Sequence, residues 1–192
     1  GQLLAQFLRD RFEAQVLLVG RGLPLPGQVP TVPAGRGLRT PIAYEQVDVC
    51  DAERLALVVA DYEARWNCRL SGVVHLAGAY RECPVTEESA EALLETMRAK
   101  TIGTAVVHDL LKTRGGGLLV CASSVAGFFG GATLAVYSAA SAFQDAVAEQ
   151  HRGRGSVDCY SFAWSNWENI GQSRTLRQPR RLRRQGSLRS GR

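Results

Sequence analysis

The stretch LLVCASSVAGFFGGATLAVYSAASAFQDAV, residues 118–147, decides the fold. It opens with an apolar run that ends at Ser124, which predicts a fully buried strand with a hydroxyl at its carboxyl end. After Tyr137, an amphipathic helix is predicted by the spacing of Ala140, Phe143 and Val147. A strand, a loop and a helix in this order are typical of open α/β folds, which bind ligands outside the carboxyl ends of their strands. Ser124 and Tyr137 are therefore candidates for one functional site.

Lys100 is a third candidate, and it lies in a helix predicted over residues 88–112. The apolar stripe of that helix contains Lys100 together with Leu93, Met97, Thr104, Val107 and Leu111. A cation on an apolar face is costly unless it has a partner or its pKa falls. Taken alone, such a lysine is best explained by an ammonium that reaches the edge of the core. Together with the hydroxyls of Ser124 and Tyr137, it predicts a three-membered proton-transfer site.

The spacing of these residues resembles that of the short-chain dehydrogenase/reductase superfamily, and within it the ketoreductase domains of modular polyketide synthases. That family places a Ser and, in its polyketide branch, a Lys before the Tyr. The spacings are those of Ser124 and Lys100, which lie 13 and 37 residues before Tyr137. Ser141 stands four residues after the Tyr, where the family usually has Asn, and its hydroxyl could still serve in a water relay. The resemblance covers roughly residues 1–170.

The resemblance implies a Rossmann-like doubly wound parallel sheet with helices on both faces. It also implies NADPH as the cofactor, a β-ketoacyl substrate tethered to an acyl carrier protein, and the other domains of a multidomain synthase as partners. Nicotinamide would supply a hydride, and Tyr137 would donate the proton to the ketone oxygen. Lys100 would stabilise the phenolate left on the tyrosine, and Ser124 would hydrogen-bond the carbonyl oxygen.

Residues for the cofactor are expected near the start of the chain and at strand ends. A helix is predicted over residues 2–13 with only Gly1 before it, whereas a doubly wound fold places a strand and a Gly-rich turn there. We therefore expect that the first strand and this turn are missing, with Gly1 as the last glycine of the turn. Arg21 ends the next predicted strand and suits the 2′-phosphate of NADP, although a solvated loop arginine is equally consistent with the sequence. The resemblance implies further cofactor contacts by Asp48, Ala77 and Gly78.

Composition and charge limit the possible domain organisation and binding partners. The chain is 45% hydrophobic and 21% charged, which is typical of a soluble globular domain. Its net charge of +5 comes from residues 171–192, which hold eight Arg and no acid, whereas residues 1–170 carry 15 basic and 18 acidic residues. We expect a partial Rossmann-like domain over residues 1–170, a disordered tail over residues 171–192, and no nucleic-acid binding by the folded body.

Membrane and metal functions are not predicted. No apolar run is long enough to span a membrane. The five cysteines have no disulfide framework and no metal-binding spacing, which indicates a reducing, cytoplasmic location, and no histidine has a catalytic or metal-binding pattern.

Two other functions remain consistent with the sequence. One is a catalytically inactive or structural ketoreductase fragment, which the expected loss of the Gly-rich turn and the presence of Ser141 favour. The other is a free-standing short-chain alcohol dehydrogenase, for which a Lys at position 141 would be usual. The stereochemical outcome of a reduction is not predicted, because residues 79–87 lack the Leu-Asp-Asp of one ketoreductase type and Phe129 replaces the Trp of the other.

Overall fold

The computed structural model describes residues 1–23 and 41–165. Most of the Gly- and Pro-rich stretch over residues 22–41, whose composition predicts a loop, lies outside the described residues. The predicted tail over residues 171–192 and the domain boundary at residue 170 also lie outside them.

Strands and helices alternate along most of the described chain. The helices are α1 Gln2–Phe12, α2 Ala52–Trp66, α3 Ala90–Thr113, α4 Ala126–Phe129 and α5 Ala135–His151, with one 3₁₀ turn, Val85–Glu87, before α3. The strands are β1 Val16–Gly20, β2 Ile42–Gln46, β3 Gly72–His75, β4 Gly117–Ser124 and β5 Val157–Trp164.

The strands of the described residues form two parallel sheets. β1 pairs with β2, and β4 lies between β3 and β5 in the second sheet. Parallel sheets flanked by helices confirm the predicted α/β class. The strand order of the classic doubly wound sheet is 3-2-1-4-5-6. β2 and β1 correspond to strands 3 and 2 of this order, and β3, β4 and β5 correspond to strands 4, 5 and 6. No described strand lies between β1 and β3, so the single predicted sheet is observed as two.

Two strands end before the predicted cofactor residues Asp48 and Gly78, which are expected at strand ends. β2 ends at Gln46 because Asp48 begins a turn: its carboxylate accepts a hydrogen bond from the Cys50 amide at 2.9 Å, and its carbonyl accepts one from the Asp51 amide at 2.9 Å. β3 ends at His75, where its pairing with β4 also stops, and so does not reach Gly78. Asp51 is the N-cap of α2, because its side chain accepts a hydrogen bond from the Arg54 amide at 3.0 Å.

The core of the second sheet lies between β4 and the helices α3 and α5. Leu111 of α3 and Leu119 of β4 are completely buried there. Cys121 and Cys159 are also buried and act as small core residues. Because α5 packs on both α3 and β4, its first turns lie beside the carboxyl end of β4.

Candidate active site

Lys100 lies inside the molecule, near the middle of α3. Its side chain is only 3% exposed, and its ammonium donates hydrogen bonds to the Ala122 carbonyl at 2.7 Å and to Gln144 Oε1 at 2.8 Å. The ammonium is therefore satisfied within the protein and does not extend to the edge of the core. Burial lowers the pKa of Lys100 from 10.5 to about 8, and the charges of Cys121 and Asp145 act in the opposite direction.

Tyr137 lies in the first turn of α5, beside the lysine. The Lys100 ammonium nitrogen is 5.5 Å from the centroid of the Tyr137 ring. The ring of Tyr80 meets that of Tyr137 edge to face, with 5.1 Å between centroids. Burial and a hydrogen bond to the Glu82 carboxylate raise the pKa of Tyr80 to about 12, so its phenol keeps its proton. The structure thus places a cation and a second phenol against Tyr137, and only the cation was predicted.

Ser124 is the last residue of β4 and is buried. Its hydroxyl oxygen accepts a hydrogen bond from the Ala126 amide at 3.2 Å, which leaves the hydroxyl proton available for another acceptor. Ser124 lies two residues after Ala122, whose carbonyl binds the Lys100 ammonium. Lys100 and Tyr137 are thus close to one another, and Ser124 lies at the strand end that Lys100 contacts.

Ser141 is fully buried one turn after Tyr137. Its carbonyl accepts a hydrogen bond from the Ser123 hydroxyl at 3.1 Å, whereas its own hydroxyl has no hydrogen-bond partner within the part of the chain that the structure describes. Gln144, which the sequence reasoning missed, contacts Lys100 instead. The signal that could have found it is its position seven residues after Tyr137, on the same face of the helix. A glutamine on a buried face needs hydrogen-bond partners.

Gly1 and Gly78, two of the predicted cofactor residues, lie close to other parts of the described structure. A Cβ atom at Gly1 would lie 3.6 Å from Leu18 of β1 and 3.9 Å from Leu76, which follows β3. A Cβ at Gly78 would lie 3.1 Å from Lys100 Cε, so a glycine here lets the backbone approach the buried lysine. Ala77, between Leu76 and Gly78, is exposed.

Arg21 and Asp48 lie at the carboxyl ends of β1 and β2, and both are bound by side chains of α3. The exposed guanidinium of Arg21 pairs with the Glu95 carboxylate, and Arg98 donates to Asp48 Oδ2 at 2.7 Å. Burial alone would raise the pKa of Asp48, but hydrogen bonds from the Cys50 amide and Arg98 outweigh it and lower that pKa. Asp48 is thus held in its ionised form. Its partner is Arg98, and it is not one of the residues that bind Lys100.

Two kinds of feature are absent from residues 1–23 and 41–165. These residues contain no helix long and apolar enough to cross a membrane. Nor do they bring together three His, Cys, Asp or Glu side chains in a group that could hold a metal ion.

The family profile described as "KR domain" matches residues 1–169. This chain belongs to the KR domain family. It is 33% identical over 177 residues to pikromycin polyketide synthase component PikAIII of Streptomyces venezuelae, covering 91% of this chain and 11% of that synthase. It is 39% identical over 119 residues to erythronolide synthase EryA2 of Saccharopolyspora erythraea, covering 62% of this chain and 3% of that one. The KR domain therefore spans a small part of these synthases.

Solved structures agree with this membership. A C2-type ketoreductase from a modular polyketide synthase superimposes with a TM-score of 0.71 at 30% identity, over 90% of this chain and 36% of that one. A ketoreductase domain from the bacillaene assembly line gives a TM-score of 0.77 at 26% identity, over 89% and 42%. These findings confirm the predicted family, the ketoreductases of polyketide synthases within the short-chain dehydrogenase/reductase superfamily, and with it the Rossmann-like fold.

Proposed function

We propose that this KR domain reduces the ketone of a β-ketoacyl thioester carried on an acyl carrier protein, with NADPH as the hydride donor. The observation that carries the proposal is the buried Lys100 ammonium, held 5.5 Å from the Tyr137 ring centroid by Ala122 and Gln144. The cation lies over the Tyr137 ring and binds the Ala122 carbonyl near the carboxyl end of β4, which supports a role in stabilising a phenolate. The matching region is only 3% and 11% of two much longer polyketide synthases, which supports a substrate that is delivered by a neighbouring domain.

The residues present fit a nicotinamide dinucleotide. Helix α1 starts directly after Gly1, which lies near Leu18 of β1 and Leu76 after β3, and amide groups at a helix start favour phosphate. Arg21 is 58% exposed, so its guanidinium can exchange the Glu95 carboxylate for a 2′-phosphate. Gly78 admits a close approach next to Lys100. Bound there, the nicotinamide would supply the hydride.

Three side chains of this chain would protonate and stabilise the ketone oxygen. Tyr137 gives its proton to the ketone oxygen as negative charge develops on it, and Lys100 stabilises the resulting phenolate. Ser124 accepts from the Ala126 amide and so can turn its own proton toward the same ketone oxygen. Because the pKa of Lys100 is about 8, the ammonium is charged below that pH, and the rate of reduction is expected to fall as the pH rises above it.

The test is Tyr137→Phe, measured with NADPH and both a free and a carrier-tethered β-ketothioester. The variant removes the proton donor and keeps the ring, so turnover should fall by about 10²- to 10⁴-fold while NADPH affinity is unchanged. The matched control is Tyr160→Phe, because Tyr160 lies on β5 and donates to Asp158 at 2.9 Å, away from Lys100. A near wild-type rate in Tyr137→Phe would refute the assignment of the proton donor.

The same assay tests the substrate class and the cofactor. Faster reduction of the carrier-tethered thioester than of the free one would support delivery by an acyl carrier protein. Equal rates for the two thioesters, or a preference for NADH, would contradict the corresponding part of the proposal.

A further inference from the structure

Gln144 is completely buried in α5, and both ends of its carboxamide are bonded. Its Oε1 accepts from the Lys100 ammonium at 2.8 Å, and its Nε2 donates to the Thr104 hydroxyl oxygen at 3.2 Å. The Thr104 hydroxyl in turn donates to the carbonyl of Lys100 at 2.6 Å. These hydrogen bonds close a ring that begins at the lysine ammonium and returns to the lysine backbone.

The directions of these bonds follow from the number of protons each group has. Thr104 has one hydroxyl proton, and the Lys100 carbonyl can only accept, so that proton belongs to the bond between Thr104 and Lys100. The Thr104 oxygen can then act toward Gln144 only as an acceptor, which requires the Gln144 NH₂ group on that side. The carboxamide oxygen must therefore face the ammonium. Thr104 fixes the orientation of the glutamine, and the glutamine presents an acceptor to Lys100.

We propose that Gln144, oriented by Thr104, is the positioning residue that holds the Lys100 ammonium beside Tyr137. The ammonium has three N–H donors, and Ala122 and Gln144 take two of them. Ser141, one turn closer to Tyr137, makes no such contact, because its hydroxyl has no partner among the described residues. This inference rests on the proposed function only in assigning Lys100 a role toward Tyr137.

Other titratable groups also face the lysine. Tyr137 and Asp145 face it from α5, Cys121 from β4 and His75 from β3. All of them are retained when Gln144 is replaced, so a change that follows the replacement reports on the carboxamide.

Lysine NMR can test this without any turnover measurement. The chain contains two lysines, Lys100 and the exposed Lys112, so protein labelled with [¹³Cε]lysine gives one resonance for each. The pH titration of both resonances is recorded for the wild type, Gln144→Leu and Gln144→Glu. Gln150→Leu is the matched control, because Gln150 is an exposed glutamine on the same helix.

Gln144→Leu removes an acceptor that stabilises the charged amine, so the Lys100 titration should move down by about one pH unit. Gln144→Glu supplies a carboxylate at the same place and should move the titration up. Gln150→Leu should change neither resonance. In turnover, the pH above which the rate falls should move with the Lys100 titration in each variant.

The outcomes separate the two proposals. If Gln144→Leu does not fold, Thr104→Val and Gln144→Glu provide the test. Thr104→Val frees the Gln144 carboxamide to rotate and should lower the midpoint of the Lys100 titration by a smaller amount. An unchanged Lys100 titration in folded Gln144 variants would overturn the positioning role, whatever the turnover. Shifted titrations in a protein that reduces no β-ketothioester would support the positioning role and reject the proposed function.

Discussion

Lys100 and Arg21 are the two cations of the proposed site, and they are held in different ways. Lys100 lies in the half built around the sheet β3-β4-β5, and Arg21 lies in the half built around the sheet β1-β2. Lys100 packs against β4 with 3% exposure, and its partners are a carbonyl and a carboxamide. Arg21 follows β1 with 58% exposure, and its partner is the carboxylate of Glu95. One cation is fixed by buried neutral acceptors, whereas the other is paired in water with an opposite charge.

This difference indicates which half already has its final hydrogen bonds before a ligand binds. A hydrogen bond inside the core is hard to exchange, because breaking it leaves a buried polar group unpaired. An exposed ion pair contributes little and exchanges readily. Helix α3 serves both halves, since Glu95 and Arg98 in its first part bind Arg21 and Asp48 while Lys100 faces β4. If the proposed function holds, the catalytic half around Lys100 is preorganised, and the cofactor half around Arg21 is free to exchange its partner.

The largest expected effect comes from the buried charge of Lys100. Its pKa in the folded protein is about 8, below the unfolded value of 10.5, so between these pH values the unfolded chain binds more protons. Stability should therefore rise with pH through this window, by about 3 kcal/mol for the lysine alone. The free energy of unfolding, measured by urea titration from pH 7 to 11, should show this rise as the difference between wild type and Lys100→Met.

Groups that do not interact with Lys100 act equally in both proteins and cancel in that difference, whereas Cys121 cancels only in part, because the charge of Lys100 lowers its pKa. Burial raises the pKa of Cys121 to about 11, which gives stability that is lost as the pH rises, in the opposite sense to Lys100. If wild type and Lys100→Met have parallel pH profiles, the lysine is not a buried titrating group and the contrast with Arg21 disappears.

Arg21→Ala tests the cofactor half. Loss of the guanidinium should reduce the preference for NADPH over NADH by about tenfold, since a hydrogen bond to a charged group contributes about 1.5–3 kcal/mol. Dissociation constants for both nucleotides provide the measurement. Arg65→Ala is the control, because Arg65 is an equally exposed arginine whose partner, Asp61, lies on the same helix α2. An unchanged preference would leave Arg21 as a solvated surface arginine.

Ser141 and Ser123 give a smaller effect, with opposite signs at neighbouring positions. The Ser141 hydroxyl is buried with no partner among the described residues, so Ser141→Ala should raise the free energy of unfolding by about 1 kcal/mol. Ser123→Ala removes a donor from the Ser141 carbonyl and should lower it by about the same amount. A loss of turnover in the more stable Ser141→Ala would support the predicted water relay.

The parts of the site that could be predicted are those fixed by local sequence. Helical spacing placed Lys100 on a buried face, and an apolar run placed Ser124 at the end of β4. The acceptors of Lys100 could not be predicted in the same way, because Ala122 and Gln144 lie 22 and 44 residues away and meet it only through the packing of α3, β4 and α5. Likewise, the spacing that suggested Arg21 carried no sign of its partner Glu95, 74 residues later.

Glu95→Gln has the smallest expected effect on stability. It also tests most directly whether Arg21, unlike Lys100, can exchange its partner. The pair it forms with Arg21 is exposed on both sides, so neutralising the carboxylate should change the free energy of unfolding by less than about 0.5 kcal/mol. The same change frees the guanidinium, and NADPH affinity should rise while NADH affinity stays constant. The measurements are urea unfolding and the two dissociation constants, with Asp61→Asn as the control that neutralises the exposed acid of the Arg65 pair.

A loss of more than about 1 kcal/mol in the free energy of unfolding of Glu95→Gln would mean that the Arg21 pair is structural. The cofactor half would then be as firmly built as the half that holds Lys100.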